Sequence, residues 1–365
     1  MARKMKILCF HPALAPYRVD FFNLLADKAD LKILFLQDNL FSQKFNQVAL
    51  KKELKCEYGS LTRGFDIRNR CIRFGVIRAV KKMSPDVVLS YEASPVTLFL
   101  CLYKKFLCRR LKVWTFMDDS PDQVRSRTGL RRIIRDWVVR NVNCVIVPSK
   151  QSADEYVCQI HSKDTEFSVV PIIHDTDIIR KNAGSVYRIG EEWKKDNIPQ
   201  SWEKVLLFVG RLAIVKNLSW LISQMELLSS EVGLVIVGDG ELDSALKEQV
   251  VKQKLMDRVV FAGRQEGEKL YAIMSMADGL VLCSHSETFG AVVAEALQWG
   301  TPCVVAQHLG ASVLIEDGVN GRVFPSGDEE TFIKAIDNLP RRTGVSLLAV
   351  SLNDAVSSLC KQYIK

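Results

Sequence analysis

The 365-residue sequence lacks the features that mark several common classes of protein. No apolar run reaches the roughly 18 to 20 residues that a bilayer-spanning helix needs. The ten cysteines are scattered singly, without a Cys-x-x-Cys pair or the spacing of a zinc site. We therefore expect reduced thiols and a cytoplasmic location. The short apolar run after the basic N-terminus is typical of a first strand rather than a secretory signal.

Familiar catalytic and binding motifs are also missing. The sequence contains no Walker A loop, no GxGxxG fingerprint, no HExxH zinc motif and no GxSxG nucleophile elbow. Its five histidines are too dispersed to indicate a metal site or a Ser-His-Asp triad. We expect no metal, and we find no internal repeat of the length that predicts a solenoid.

Positive charge is present, but it is unevenly distributed. Residues 1–175 contain 30 Lys and Arg against 18 Asp and Glu, whereas the remainder contains 20 against 24. This asymmetry indicates an anionic partner of the N-terminal half, such as a membrane surface, or else a merely solvated basic surface. The aromatic and basic pattern of an RNA-binding motif is missing, so we expect no nucleic-acid partner.

The segment 98–110 bears on this choice, because apolar residues alternate there with Lys104, Lys105, Arg109 and Arg110. Such a segment fits an amphipathic helix lying at a membrane interface. It also fits a helix that packs on its own sheet. We favour the second interpretation, since it is the commoner one for a stripe of this kind.

Strand-like and helix-like segments alternate twice along the chain, which predicts an α/β protein with two doubly wound domains. We assign residues 1–176 to the first domain and 204–342 to the second. Residues 177–203 lose the apolar alternation and are interpreted as a linker, and 343–365 as a terminal helix. Within the first domain we interpret 38–65 as an irregular insertion and 71–83 as a basic helix.

In doubly wound sheets, ligands bind beyond the carboxyl ends of the strands. In the second half, Gly210 and Arg211 end one strand, and Lys216 opens the next helix. Glycine permits close backbone approach, and the two cations suit a diphosphate. The alternative is a turn with two surface cations. Gly238 and Arg264 follow the next two strands, where they shape a ligand pocket or form an ordinary turn and a solvated arginine.

The stretch from Cys283 to Pro302 is the strongest candidate for a site. Its pattern predicts a strand end, a polar loop, an Ala-rich helix and a stop. Glu287 and Glu295 would lie roughly 12 Å apart on a continuous helix, about the span from the sugar to the ribose of a nucleotide-sugar. Gly290 could free backbone N–H groups for an anion. Alternatively, Glu287 is a helix-dipole partner and Glu295 an exposed helical acid.

Taken together, these motifs resemble the family-4 (group 1) glycosyltransferases of the GT-B fold over residues 203–340. The resemblance implies two doubly wound, Rossmann-like domains facing a cleft, with a UDP-, GDP- or ADP-sugar donor on the C-terminal domain. It also implies an acceptor on the N-terminal domain and a retaining transfer without metal or cofactor. The closing helix is expected to return to the N-terminal domain. The matching residues are Gly210-Arg211, Lys216-Asn217, Gly238-Asp239-Gly240, Phe261-Ala262-Gly263-Arg264, Glu287-Thr288-Phe289-Gly290, Glu295-Ala296, Gly300-Thr301-Pro302 and 316–321.

The resemblance also implies roles for these residues. Arg211 and Lys216 would hold the donor diphosphate and stabilise the leaving group, and Glu287 would contact the donor sugar. Glu295 would bond the ribose hydroxyls, and Arg264 would lie beside the base. The remaining donor-binding residues would be Gly210, Gly238, Thr288, Phe289 and Gly290.

The N-terminal half departs from the family's pattern, because residues 11–18 replace its usual Gly-Gly loop. The acceptor side therefore has only candidates: His11, Arg18, Asp118 and Asp119. Asp118 or Asp119 could orient an acceptor hydroxyl or could be the N-cap of the helix near residue 127. We expect a glycan or polyprenyl-diphosphate-linked acceptor, and an enzyme peripheral to the inner face of the cytoplasmic membrane that builds bacterial surface polysaccharide, lipopolysaccharide or capsule.

Two other functions remain open at the level of sequence. The GT-B fold also serves sugar-nucleotide epimerases and hydrolases, which would use the same donor site without an acceptor. A non-enzymatic protein that binds membrane or nucleic acid through its basic half is the second alternative.

Overall fold

The computed structural model describes residues 3–39, 45–67, 70–160, 162, 165–287, 289–343, 346, 348 and 351–361. The chain divides into two compact units. Unit 1 comprises Met1–Asp175 together with Val350–Lys365, and unit 2 comprises Thr176–Ala349.

Unit 1 is built on a parallel seven-stranded sheet of order β3-β2-β1-β6-β7-β8-β9, and β4 and β5 form a separate antiparallel hairpin. Its strands are β1 (Lys6–His11), β2 (Asp30–Phe35), β3 (Glu57–Ser60), β4 (Gly64–Ile67), β5 (Arg70–Arg73), β6 (Val87–Tyr91), β7 (Lys112–Phe116), β8 (Cys144–Val147) and β9 (Glu166–Val169). Its helices are α1 (Pro16–Lys28), α2 (Gln47–Lys52), α3 (Val76–Met83), α4 (Pro95–Phe106), α5 (Pro121–Arg125), α6 (Gly129–Asn141), α7 (Lys150–Ile160) and, at the other end of the chain, α14 (Leu352–Lys361).

Unit 2 is built on a parallel six-stranded sheet of order β12-β11-β10-β13-β14-β15. Its strands are β10 (Lys204–Val209), β11 (Val232–Val237), β12 (Val259–Gly263), β13 (Gly279–Leu282), β14 (Cys303–Ala306) and β15 (Gly321–Phe324). Its helices are α8 (Thr176–Asn197), α9 (Leu218–Gln224), α10 (Asp243–Lys252), α11 (Gly267–Met276), α12 (Ala291–Gln298) and α13 (Glu329–Asp337), with short 3-10 helices at Ile214–Lys216 and Gly310–Leu314.

The strands form where runs of Val, Ile and Leu can be covered by helices on both faces, so the central strands are buried throughout. Helix starts follow local signals. Ser120 and Gln123 form a capping box ahead of α5, and Ser94 accepts a hydrogen bond from the Thr97 N–H at the start of α4. The predicted α/β class with two doubly wound sheets is confirmed.

Each sheet reverses its strand order at one point, between β1 and β6 in unit 1 and between β10 and β13 in unit 2. The loops that follow these four strands leave the sheet on opposite sides and open a crevice at its carboxyl edge. A ligand-binding site is therefore expected beside the residues that follow His11, Tyr91, Val209 and Leu282.

Three segments differ from the prediction. Residues 177–203 are not an extended linker, because α8 occupies Thr176–Asn197 and packs against α11 within unit 2. This helix buries Val186 on one side and carries its mixed charges on the solvent side. Because the polar side is broad, the helical periodicity of its few apolar residues is hard to recognise in the sequence. The predicted helix over 71–83 begins only at Val76, because Arg70–Arg73 pairs with β4. Within 38–65 the described residues form α2, β3 and the start of β4.

The helix at the end of the chain packs on the first helix of unit 1. α14 contacts α1 and buries Leu352, Val356, Leu359 and Cys360. Across the described residues, no helix combines the length and the apolar character needed to cross a membrane.

Candidate functional site

The two loops that flank the switch point of unit 2 meet through an ion pair. Lys216 ends the 3-10 helix after β10, and its Nζ pairs with Oε2 of Glu287 in the loop after β13. Both side chains keep about a fifth of their surface exposed, 18% for Lys216 and 22% for Glu287. Two of the predicted catalytic residues, 71 positions apart, are thus brought together at the sheet edge where a ligand is expected.

Main-chain and thiol contacts hold this pair in place. The His285 N–H donates to the Val215 carbonyl at 2.8 Å, and the Cys283 thiol lies 3.7 Å from the Lys216 carbonyl oxygen. The loop carrying Glu287 is therefore bonded to the turn carrying Lys216. The neighbouring Ser284 hydroxyl is buried and has no hydrogen-bond partner among the described residues.

The ends of β10, β11 and β12 are bonded to one another beyond the sheet. The Gly210 N–H donates to Val237 O at 3.0 Å, the Leu212 N–H to Asp239 O at 2.7 Å, and the Gly238 N–H to Gly263 O at 2.9 Å. These bonds link the main chain of the three strand ends. We call this part of the carboxyl edge of unit 2 the main-chain floor.

Two predicted site glycines are required by close packing. At Gly238, φ is +142°, and a Cβ would lie 1.9 Å from the Gly210 carbonyl oxygen. At Gly290, φ is +73°, and a Cβ would meet Ala311 and Leu282 at 2.9 Å. A side chain at either position would push the loops apart, so the glycines serve packing as well as any ligand.

The remaining donor-side residues surround this floor. Arg211 is exposed, and Arg264 pairs with Glu266 at 2.9 Å and lies 3.8 Å from Asp239. Glu295 sits half-buried on α12, which begins only at Ala291, so Glu287 and Phe289 belong to the preceding loop. Phe289 is buried rather than open to a ligand. Thr288 lies outside the described residues.

The unit 1 candidates are also brought to a switch point, but they are buried and engaged with one another. Arg18 on α1 makes two bonds with the Asp118 carboxylate, 2.6 and 2.7 Å from its two oxygens, with side-chain exposures of only 2% and 9%. The Tyr91 hydroxyl donates to the same carboxylate at 3.2 Å. These contacts occupy both groups within the protein.

Asp119 is likewise part of a charge network. Its carboxylate pairs with Arg127 and Arg135 and accepts a hydrogen bond of 2.5 Å from the Tyr156 hydroxyl, while its carbonyl accepts one from Ser152 at 2.7 Å. The predicted alternative, an N-cap of the helix near residue 127, does not apply to Asp118 or Asp119, because Thr128 is the N-cap residue of α6.

His11 is enclosed by aromatic rings, with Tyr91 and Phe22 centroids at 5.0 and 5.4 Å. Its Nδ1 lies 3.0 Å from the Ala13 carbonyl. Burial, reinforced by the nearby Arg18 charge, lowers the pKa of His11 to about 3, so the ring is neutral near pH 7. A neutral, buried ring is a packing element in this state of the protein.

Glu92 lies at a predicted strand end but was not among the predicted site residues. It follows β6 at the switch point, with φ of +55°, a strained conformation for a residue other than glycine. Its Oε1 accepts the Asp118 N–H at 3.1 Å, and its Oε2 pairs with Arg135. Burial raises the pKa of Glu92 to about 7 despite the opposing Arg135 charge. Its position after a predicted strand was the only available signal.

The described residues contain no cluster of three or more His, Cys, Asp or Glu side chains arranged as metal ligands. The independence of the reaction from metal stays a prediction.

Residues 190–342 match the family model described as "Glycosyl transferases group 1". The D-inositol 3-phosphate glycosyltransferase of Mycobacteroides abscessus is 29% identical over 238 residues, which cover 63% of this chain and 52% of that protein. The chain spans about half the length of the first curated relatives it matches.

Two solved structures are similar over almost the whole chain. Anabaena Alr3699/HepE, solved in complex with UDP and glucose, has a TM-score of 0.67 at 17% identity. The match covers 98% of this chain and 95% of the HepE chain. The lipopolysaccharide outer core galactosyltransferase WaaB has the same TM-score, identity and coverage. At these identities the likeness concerns the fold. Residues 190–342 are thus similar to the group 1 glycosyltransferase domain, and the chain has the GT-B fold of these neighbours.

Proposed function

We propose that this protein is a retaining glycosyltransferase that binds a nucleotide-sugar at the carboxyl edge of unit 2. The observation that carries the proposal is the Lys216–Glu287 pair, formed by the two loops that flank the β10/β13 switch point. A cation and a carboxylate held side by side suit a ligand that has a diphosphate next to a hydroxyl-rich sugar. The UDP bound to the HepE neighbour supports a nucleotide-sugar as the donor.

In the proposed reaction, the bond between the donor's anomeric carbon and its phosphate oxygen breaks. A bond from the acceptor oxygen to that carbon forms on the same face, and the acceptor proton passes to the leaving phosphate oxygen. Lys216 and Arg211 stabilise the charge that grows on the phosphate, the kind of electrostatic stabilisation that contributes most to catalysis. No covalent intermediate on the protein and no metal are required by this scheme.

The proposal also includes an acceptor. We propose that it is a glycan or a polyprenyl-diphosphate-linked oligosaccharide of bacterial surface polysaccharide, and that the transfer takes place at the cytoplasmic face of the membrane. The lipopolysaccharide context of the WaaB neighbour supports this setting. Because Arg18 and Asp118 are buried and paired with each other, we assign them a structural role on the acceptor side and not direct contact with the acceptor.

A thermal-shift screen tests the donor site. We expect at least one UDP-, GDP- or ADP-sugar to raise the melting temperature, with a smaller shift in Glu295→Ala. A matched control is Glu248→Ala, which removes an exposed acid of α10 that belongs to none of the site motifs. Stabilisation of the wild type by none of these sugars would refute the donor assignment.

Turnover tests the role of Lys216. With the donor found in the screen, Lys216→Ala should lower kcat by about 10²- to 10³-fold, the usual effect of removing one preorganised charge-stabilising group. The control Lys252→Ala, on the exposed end of α10, should leave kcat unchanged. Release of free sugar at the same rate with and without acceptor would instead identify a hydrolase.

A further inference from the structure

One helix of unit 1 has two apolar sides. On α4, Leu100 and Cys101 are fully buried, whereas Phe99, Leu102 and Phe106 are 59%, 43% and 71% exposed. The exposed three follow the spacing i, i+3, i+7 and therefore share one side of the helix, roughly opposite the buried one. The helix packs on its sheet, as we favoured from sequence, and it also presents a second apolar stripe to solvent.

The neighbours of α4 extend this stripe. The β4–β5 hairpin packs against α4 through β5 and exposes Phe65, whose ring lies 6.0 Å from that of the exposed Phe74. α6 packs against α4 as well, and it exposes Leu130 and Ile133, three residues apart. We call the solvent side of the hairpin, α4 and α6 the apolar-basic face.

The charges on this face are predominantly positive. The segments 64–73, 95–112 and 129–141 together contain twelve Lys and Arg and two acids, Asp66 and Asp136. Lys105, Arg109 and Arg110 are exposed, and the Lys105 Nζ lies 5.9 Å from the centroid of the Phe106 ring. Aromatic rings and cations therefore stand side by side on one solvent-facing surface.

The combination matches the chemistry of an anionic bilayer. Exposed rings can insert at the boundary between headgroups and acyl chains, while Lys and Arg pair with lipid phosphates. Protein interfaces, by contrast, are depleted of charge at their centre, and Lys in particular is rare there. Unit 2 offers no equivalent, since all five exposed Phe and Tyr side chains of the described residues lie in unit 1.

We propose that the apolar-basic face docks unit 1 on an anionic lipid bilayer. Docking rests on this face alone and not on donor binding, so its failure and that of the proposed transfer are separable. The face lies on the same unit that we assign to the acceptor, and a surface-bound enzyme would meet a lipid-linked acceptor by diffusion in two dimensions.

Co-sedimentation of the full chain with vesicles tests the proposal. We expect binding to vesicles of equal parts phosphatidylglycerol and phosphatidylcholine, weakened by added salt, and little binding to phosphatidylcholine alone. Arg109→Glu with Arg110→Glu should weaken binding by about 30-fold or more, since each basic side chain near an anionic surface contributes a few-fold to tenfold in affinity. Phe99→Ser with Phe106→Ser should weaken it by at least about 10-fold.

Matched controls come from unit 2. Lys252→Glu with Lys269→Glu changes the net charge equally at exposed positions, and Leu227→Ser with Val251→Ser removes apolar side chains that are also more than half exposed. Both controls should bind vesicles as the wild type does. All four variants should keep the melting temperature and the circular dichroism spectrum of the wild type, which shows that they are folded.

Three outcomes would overturn the proposal. The first is equal binding to charged and uncharged vesicles, and the second is equal loss in the test and control variants. The third is that the wild type does not bind vesicles but forms a concentration-dependent dimer or binds polynucleotide, and that Phe99→Ser with Phe106→Ser abolishes this association. The last result would assign the face to a second copy of the chain or to nucleic acid.

Discussion

The carboxyl edges of the two sheets use charged residues in opposite ways. In unit 2, Lys216 and Glu287 form a single pair that remains partly exposed, above a floor of glycine-rich main chain. In unit 1, Arg18, Asp118 and Asp119 are buried and linked to further charges. The same topology therefore supports a partly exposed ion pair at one edge and buried ion pairs at the other.

The physical difference lies in solvation. A partly exposed pair contributes only roughly 0 to 1 kcal/mol to stability, because water competes for both charges. A buried pair leaves a large uncompensated desolvation cost when one partner is removed. Substitutions at the two edges should thus affect different measurements, ligand binding in unit 2 and folding in unit 1.

The largest expected effect is on the buried pair. Arg18→Ala should lower the free energy of unfolding by about 3 to 5 kcal/mol, because it leaves the Asp118 carboxylate buried without its cation. Lys216→Ala should change it by less than about 1 kcal/mol. Urea unfolding followed by circular dichroism measures both. Equal destabilisation by the two substitutions would remove the distinction between the edges.

A smaller effect is expected within the unit 2 floor. Gly238→Ala should lower the free energy of unfolding by about 2 kcal/mol or more, because the new Cβ would overlap the Gly210 carbonyl oxygen. Gly263→Ala is the matched control. Its φ is +65° with no atom within 4 Å of the added Cβ, so only the left-handed backbone cost of roughly 1 kcal/mol applies. Similar losses in both variants would contradict the close approach of the two loops.

A pH-dependent effect is expected at Glu92. Its pKa is raised from 4.5 to about 7 in the folded protein, so the folded state holds the proton more tightly than the unfolded state. Stability from this group is therefore present below pH 4.5 and is lost as pH rises to about 7. Glu92→Gln should remove that decline.

The measurement for Glu92 is the difference in unfolding midpoint between wild type and Glu92→Gln, taken from pH 4.5 to 8. Taking the difference removes the opposing contribution of His11, whose lowered pKa makes stability rise with pH below 6.5. A difference that does not vary across this range would show that Glu92 titrates normally.

Much of the architecture could be predicted because its signals are local. Apolar runs followed by Gly or by polar loops marked the unit 2 strands. α8 and β5 were missed for the converse reason. α8 has a broad polar face, and β5 is a short strand whose pairing with β4 depends on tertiary context.

The sequence alone determined the α/β class, the glycine positions and the residue types at each strand end, since periodicity and backbone sterics act over a few residues. Only the tertiary structure decided which charges meet. It joined Lys216 to Glu287 across 71 positions and Arg18 to Asp118 across 100. It also decided which side of α4 faces its sheet and which faces solvent. Charge pairing and burial depend on distances through space and on the exclusion of water, and neither is encoded in local spacing.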